Sequence, residues 1–200
     1  MSNQFKKILK KHAKSFYFAG LLLDRQTLND ASILYAFCRK LDDAADNFKS
    51  NNSHELKSLI DDYRQPASKD SVNQSFKEIQ KKYAFKQKFI DDLILGVSSD
   101  TNFKQPQNIQ DLLLYCYQVA GTVGALMAKV LGVTQQNAEK FAIDLGIGMQ
   151  LTNISRDIRE DSVNNRIYIP QDMLPNNFSS EDILNEKNKK YIFDATNRIL

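Results

Sequence analysis

Cysteine is scarce in this chain of 200 residues: Cys38 and Cys116 are the only two. Two cysteines make no disulfide framework and fit a reducing compartment, so the expectation is a cytoplasmic protein. The charge of either sign is nearly balanced, at +3 net, which is too slight to argue for nucleic acid as a partner. Long apolar runs are missing: none approaches the roughly eighteen residues of a membrane span. The first residues also lack the apolar core of a secretory signal. Chain breakers are few, with 7 Gly and 4 Pro. Together with long helical periodicities, this reads as an all-α protein. At 42% hydrophobic and 26% charged the chain should fold, and its length suits one domain, residues 1–200, with a sizeable core.

What the chain does have is acid at helical spacing. Asn153, Asp157 and Asp161 recur every four residues, which stacks them on one helix face. Like charges at that spacing repel, and a hard divalent cation with oxygen ligands would compensate. A second column, Asp42 and Asp46, lies far away in sequence. Two columns facing each other would form an acidic pocket for several Mg²⁺ ions. Mg²⁺ keeps waters and bridges one or two carboxylates to substrate phosphates, which points to a diphosphate ligand. The competing explanation is that each column is a solvated helix face. Arginines flank both, at Arg39, Arg156, Arg159 and Arg166.

In chain order, residues 4–13 read as a first helix with Phe5, Ile8 and Leu9 inward and lysines outward, or as a membrane-surface helix. In His12-Ala13-Lys14-Ser15-Phe16, the residues could bind an anion, or Ser15 could cap a helix. Residues 29–48 predict a helix capped by Asn29 or Asp30, with Leu34, Phe37, Leu41, Ala45 and Phe48 inward and Tyr35, Arg39, Asp42 and Asp46 beside them. Residues 49–53 read as a loop, and Leu56 to Tyr63 as a helix stopped by Pro66. Residues 74–96 predict one amphipathic helix or a pair, with Gly96 as a stop and Asp91 and Asp92 lacking a partner column. Asp111 to Leu131 is the most apolar helix; its Gly121 and Gly124 admit either another helix or a substrate tail. Asn137 to Asp161 carries two stripes. Phe141, Leu145, Leu151, Ile154 and Ile158 are expected in the core. Ala142, Gly146, Met149 or Gln150, Asn153, Asp157 and Asp161 are expected to line a pocket, greasy at its base and metal-binding at its mouth. Arg166 to Pro170 reads as an extended exit, and Ser179 or Ser180 starts a last helix. The chain stops in mid-pattern, so a C-terminally truncated chain is expected.

These motifs resemble the squalene/phytoene synthase family over nearly the whole chain. The likeness rests on His12-x-Lys14-Ser15-Phe16, Tyr35 to Asp46, Tyr115 to Gly124, and Gln150 to Asp161 followed by Arg166-Ile167-Tyr168-Ile169-Pro170. It implies an all-α isoprenoid-synthase helical bundle around a central cavity. It implies head-to-head condensation of two prenyl diphosphates through a cyclopropyl diphosphate. Asp42, Asp46, Asn153, Asp157 and Asp161 would then hold Mg²⁺, with Mn²⁺ as a substitute. His12, Ser15, Arg39, Arg156 and Arg166 would contact diphosphate, Gln150 would lie near the pocket, and Tyr115 would assist the carbocation chemistry. Asp42, Asp46, Asp157 and Asp161 count with Tyr115 as catalytic.

Metal-assisted departure of diphosphate and a water-poor cavity agree with that chemistry. The product leans to phytoene, from geranylgeranyl diphosphate, on the likeness of Val119 to Met127 and Leu131-Gly132-Val133 to bacterial phytoene synthases. Squalene from farnesyl diphosphate is the alternative, and only squalene calls for NADPH. Two other readings compete: a non-catalytic assembly factor or scaffold, and a one-substrate terpene cyclase. An apolar product makes peripheral membrane contact an expectation too, while the oligomeric state is open.

Overall fold

The computed structural model describes residues 2–46 and 53–200. Phe48 and residues 49–52 of the expected loop lie outside the described residues; Ser53 begins a helix. Eleven α-helices follow one another among the described residues, with no strand. They are α1 (Ser2–His12), α2 (Lys14–Gly20), α3 (Arg25–Asp46), α4 (Ser53–Arg64), α5 (Ser71–Lys82), α6 (Gln87–Ser99), α7 (Ile109–Cys116), α8 (Thr122–Val130), α9 (Ala138–Val163), α10 (Ser180–Leu184) and α11 (Lys189–Ile199).

Helix α3 organises the main core. Its inward stripe, Leu34, Phe37 and Leu41, is almost wholly buried. Phe37 stacks on Phe76 of α5 with ring centroids 3.7 Å apart, and Tyr63 of α4 tilts against both. Burying each such side chain is worth about 1.5–3 kcal/mol. Phe5 and Leu9 of α1 join the buried set, and α1 packs on α3. The first helix is therefore a core helix with a lysine-rich outer face.

Several expected boundaries move, each for a local reason. Helix α3 starts at Arg25 because Asp24 caps it: its Oδ1 accepts from the backbone N–H of Gln26 (2.9 Å) and Thr27 (3.0 Å). Asn29 and Asp30 are inside the helix, and Asp30 is buried, accepting from Lys82 Nζ (2.6 Å) and Tyr83 Oη (2.8 Å). Ser15 is not a cap; α2 follows Ala13 with no side-chain cap bond. The 74–96 pattern resolves as the pair α5 and α6, separated where Ala84 takes φ 49°. Pro66 lies just past the end of α4, as expected. Gly96 does not stop α6. It lies within it, and a Cβ there would come within 2.6 Å of Gln118 Cβ.

The apolar stretch from Ile109 to Val130 is long and apolar enough to cross a membrane, at mean hydropathy 1.2, which corrects the expectation that no run comes close. It packs on α3, α6 and α9. It is not one regular helix: residues Tyr117–Gly121 form a π-helical turn between α7 and α8. Such turns are often found at functional sites. Gly132, at φ 71°, takes the left-handed conformation that closes α8.

Helix α9 lies against α8 and the π-turn at contact distances only glycine permits. A Cβ on Gly124 would sit 2.1 Å from the Ala142 carbonyl oxygen, and one on Gly146 would sit 2.4 Å from that of Ala120. The small residues therefore serve a neighbouring helix, not a substrate tail. Ala142 and Gly146 consequently belong to a helix interface and do not line a pocket base. Phe141 and Leu145, expected in the core, are each 66% exposed. Leu151, Ile154 and Ile158 do pack inward, on the two smaller clusters formed with α7 and the exit segment.

Candidate functional site

Helix α3 carries Arg39, Asp42, Asp43 and Asp46 on its C-terminal two turns. Arg39 NH2 pairs with Asp43 Oδ1 at 2.7 Å, one turn on. Its Nε is buried and has no hydrogen-bond partner. Asp42 is reached by solvent, yet surrounding protein strips enough bulk water from its carboxyl to push it up to about 7. Arg39 opposes that rise, and the charges of Asp100, Asp46 and Asp43 add to it.

Helix α9 supplies the second column. Asn153 Nδ2 lies 3.5 Å from Gln150 Oε1. Arg156 holds Asp157 by two bonds, Nε to Oδ1 (2.7 Å) and NH2 to Oδ2 (2.6 Å). That pair keeps the Asp157 carboxyl below its ordinary range. Asp161 behaves oppositely: desolvation, then the charge of Asp157, push it up to about 6, with Arg166 opposing.

The chain reverses after α9 and brings Arg166 back across to α3. Arg166 NH1 pairs with Asp46 Oδ1 at 2.9 Å. Arg166 also acts electrostatically on Asp161 and Asp100. The ends of the two columns, Asp46 and Asp161, thus meet at Arg166, beside a small recess lined by Asp161, Arg166 and Tyr168, while Asn153 and Asp157 have no hydrogen bond or ion pair to α3 among the described residues. The exit segment is held extended by Gln105 Nε2 donating to the Ile169 carbonyl (2.8 Å) and Gln171 N–H donating to that of Pro106 (2.9 Å).

The sequence reading missed a further carboxylate among these charges. Asp100, just past α6, has its carboxyl pushed up to about 6, first by desolvation. Its Oδ2 accepts from Tyr115 Oη (3.1 Å) and its Oδ1 from Tyr168 Oη (3.3 Å). Burial first, then the Asp100 charge, hold both phenols well above their ordinary range. No repeat or column in the sequence marks Asp100. Asp91 is exposed and Asp92 half-buried on α6, and both line an open pocket with Asp61 and Arg64 of α4. Asp92 pairs with Lys88 Nζ and accepts from Tyr117 Oη at 2.7 Å.

His12 and Ser15 sit at the junction of α1 and α2, both exposed. No hydrogen bond or ion pair joins either to the acid columns among the described residues. Exposed Phe16, Phe18, Leu21 and Leu22 continue that end of the molecule.

No three described His, Cys, Asp or Glu side chains converge closely enough to hold a metal ion by themselves. The donor chemistry nevertheless fits Mg²⁺, which takes one or two carboxylates, waters and substrate phosphate and needs no all-protein cage. Desolvation first, and neighbouring carboxylates after it, push the Asp42, Asp100 and Asp161 carboxyls up to between about 6 and about 7, with Arg39 and Arg166 opposing.

Comparison with known proteins identifies the family and the fold. The family model described as squalene/phytoene synthase matches residues 9–200. A 15-cis-phytoene synthase of Enterobacter agglomerans is 32% identical over 202 residues, covering 94% of this chain and 68% of that protein. The chloroplastic phytoene synthase of an Oncidium hybrid cultivar is 32% identical over 194 residues, covering 90% of this chain. This chain spans 47% of the Oncidium protein and 44% of an Arabidopsis thaliana phytoene synthase, about half of each. Among solved structures, a dehydrosqualene synthase in complex with ligand superposes with a TM-score of 0.82 at 29% identity, covering 98% of this chain and 71% of that one. A squalene synthase from Alicyclobacillus acidocaldarius, at TM-score 0.78 and 20% identity, shares the fold.

Proposed function

Because the chain belongs to the squalene/phytoene synthase family, we propose that its recess takes part in head-to-head condensation of two prenyl diphosphates. The observation that supports this reading is the Asp46–Arg166 ion pair, which ties the end of α3 to the segment just after α9. Asp42, Asp46, Asn153, Asp157 and Asp161 would hold Mg²⁺, or Mn²⁺ in its stead. When bound, the metal supplies charge neutralisation for a departing diphosphate. Arg39, Arg156 and Arg166 would bind diphosphate oxygens, and Gln150 would steady Asn153. His12 and Ser15 would reach the diphosphate from the α1–α2 junction. Tyr115, beside the recess, would present its oxygen to the allylic cation. A cyclopropyl diphosphate would be the intermediate, as the resemblance implies.

The first product reading is phytoene from two geranylgeranyl diphosphates, supported by the phytoene synthase relatives. The likeness to a dehydrosqualene synthase structure supports farnesyl diphosphate as the alternative substrate. NADPH enters only if squalene is the product. The exposed apolar residues of α2 and the lysines of α1 are compatible with a cytoplasmic protein that touches membrane peripherally. The test is incubation of the full-length protein with Mg²⁺ and either diphosphate, with and without NADPH, followed by hydrocarbon analysis and assay of released diphosphate. A hydrocarbon from one substrate identifies it. No product and no Mg²⁺-dependent diphosphate release from either overturns the enzyme reading in favour of a non-catalytic relative.

A further inference from the structure

Asp100 belongs to neither acid column, yet it ties together three segments far apart in sequence. It stands in the turn Asp100–Asn102 after α6, Tyr115 is on α7, and Tyr168 is on the exit segment. One carboxylate accepts from both phenols, at 3.1 and 3.3 Å. The two hydroxyl oxygens are 3.3 Å apart, and the rings stack with centroids 5.1 Å apart. Phe103 closes the far side edge-on to Tyr168 at 5.0 Å. The charged groups around Asp100 are Asp42, Asp46, Asp161 and Arg166.

A phenol has one proton to donate. Once Tyr115 and Tyr168 give theirs to Asp100, each oxygen has only lone pairs left for other neighbours. An oxygen backed by an anion and held still in a poorly solvated site stabilises a nearby positive charge without reorganising. Tyrosine ring faces attract cations as well. We propose that Asp100 is a positioning residue: it takes up both phenol protons, so that the lone pairs of the Tyr115 and Tyr168 oxygens are what remains for the cationic carbon of a prenyl substrate. This rests on the prenyl diphosphate reading above. Asp100 itself touches no reacting atom; it acts through the two tyrosines.

The test compares Asp100→Asn, Tyr115→Phe and the double variant with the unaltered chain, using Mg²⁺ and geranylgeranyl or farnesyl diphosphate. Asparagine keeps the shape but cannot accept from both phenols as an anion. Expected is a loss in kcat of about 10- to 100-fold, the range seen when a supporting hydrogen-bond partner of a site residue is removed, with KM little changed. The ratio of prenyl alcohol to hydrocarbon should rise, because an unguided cation is captured by water. The double variant should be no worse than the poorer single variant, since one residue acts through the other. Independently of activity, alkaline titration of tyrosine absorbance should show buried phenols ionising at lower pH in Asp100→Asn. An unchanged kcat and product ratio, losses that multiply, or an unmoved tyrosine titration each overturn the proposal. If Asp100→Asn fails to fold, Asp100→Glu, which keeps the charge and displaces it by one methylene, must raise the same ratio. An unaltered chain that consumes neither substrate removes the prenyl diphosphate reading, and the titration then decides whether Asp100 holds the two phenols.

Discussion

Asp157 and Asp42 show how differently two carboxylates of similar placement can behave. Asp157 is held ionised by its own neighbour, Arg156, through two bonds. Asp157→Asn should leave the fold intact, because both partners are on the surface of one helix. Turnover should fall by about 100-fold or more, the scale of losing one charge stabiliser of a transition state; steady-state kinetics alongside circular dichroism checks both halves. Asp42 has no such partner of its own, and its carboxyl rises from 3.8 to about 7 in the folded protein. A raised acid keeps its proton longer when folded than when unfolded, so stability falls as pH rises between those two values. Without metal, Asp42→Asn should therefore melt higher than the unaltered chain, with a gap that opens above pH 3.8 and stops growing near about 7. Thermal melts across that range, read without Mg²⁺, check the sign. Both residues could be named from spacing alone. Asp100 could not, because its partners come from α7 and the exit segment and leave no local pattern.

At the scale of the element, the α8–α9 contact is where packing decides the outcome. Gly124 and Gly148 are both glycines in helices, yet they should respond oppositely to alanine. At Gly124 a new methyl meets the Ala142 backbone at 2.1 Å, and backbone cannot step aside cheaply. The expected cost is about 1–3 kcal/mol. At Gly148 nothing lies within 4 Å. There alanine should stabilise by roughly 0.5–1 kcal/mol, the propensity difference in a helix interior. Urea midpoints of the two variants, with slopes compared, distinguish them. The existence of α3, the α5–α6 pair and α9 was legible from their periodicity. Their ends were less so, because Asp24 competes with Asn29 and Asp30 as a cap and is chosen only when Asp30 is drawn inward by Lys82 and Tyr83. The π-turn had no signal beyond its glycine.

The whole molecule assembles the recess from the C-terminal end of α3, the turn after α6, α7, the C-terminal half of α9 and the segment beyond it. A ligand that binds only this assembled form stabilises it by mass action. Inorganic diphosphate and Mg²⁺ together should raise the melting temperature more than the sum of either alone. At about a hundredfold excess over the dissociation constant the gain is about 2.7 kcal/mol, or roughly 5–10 °C for a chain of this size. Equal shifts with diphosphate alone would count against a metal bridge between the columns.

The sequence by itself determined the helical class, the family, the two acid columns and their flanking arginines. Those are properties of residue type and spacing along one helix, where neighbours are set by the 3.6-residue turn. Only the tertiary structure decided that Gly124 and Gly146 serve α8–α9 packing, that Phe141 and Leu145 are exposed, and that Asp100 joins Tyr115 and Tyr168. Each of these depends on which helix comes to lie against which. Such contacts join residues whose distance along the chain says nothing of their distance in space.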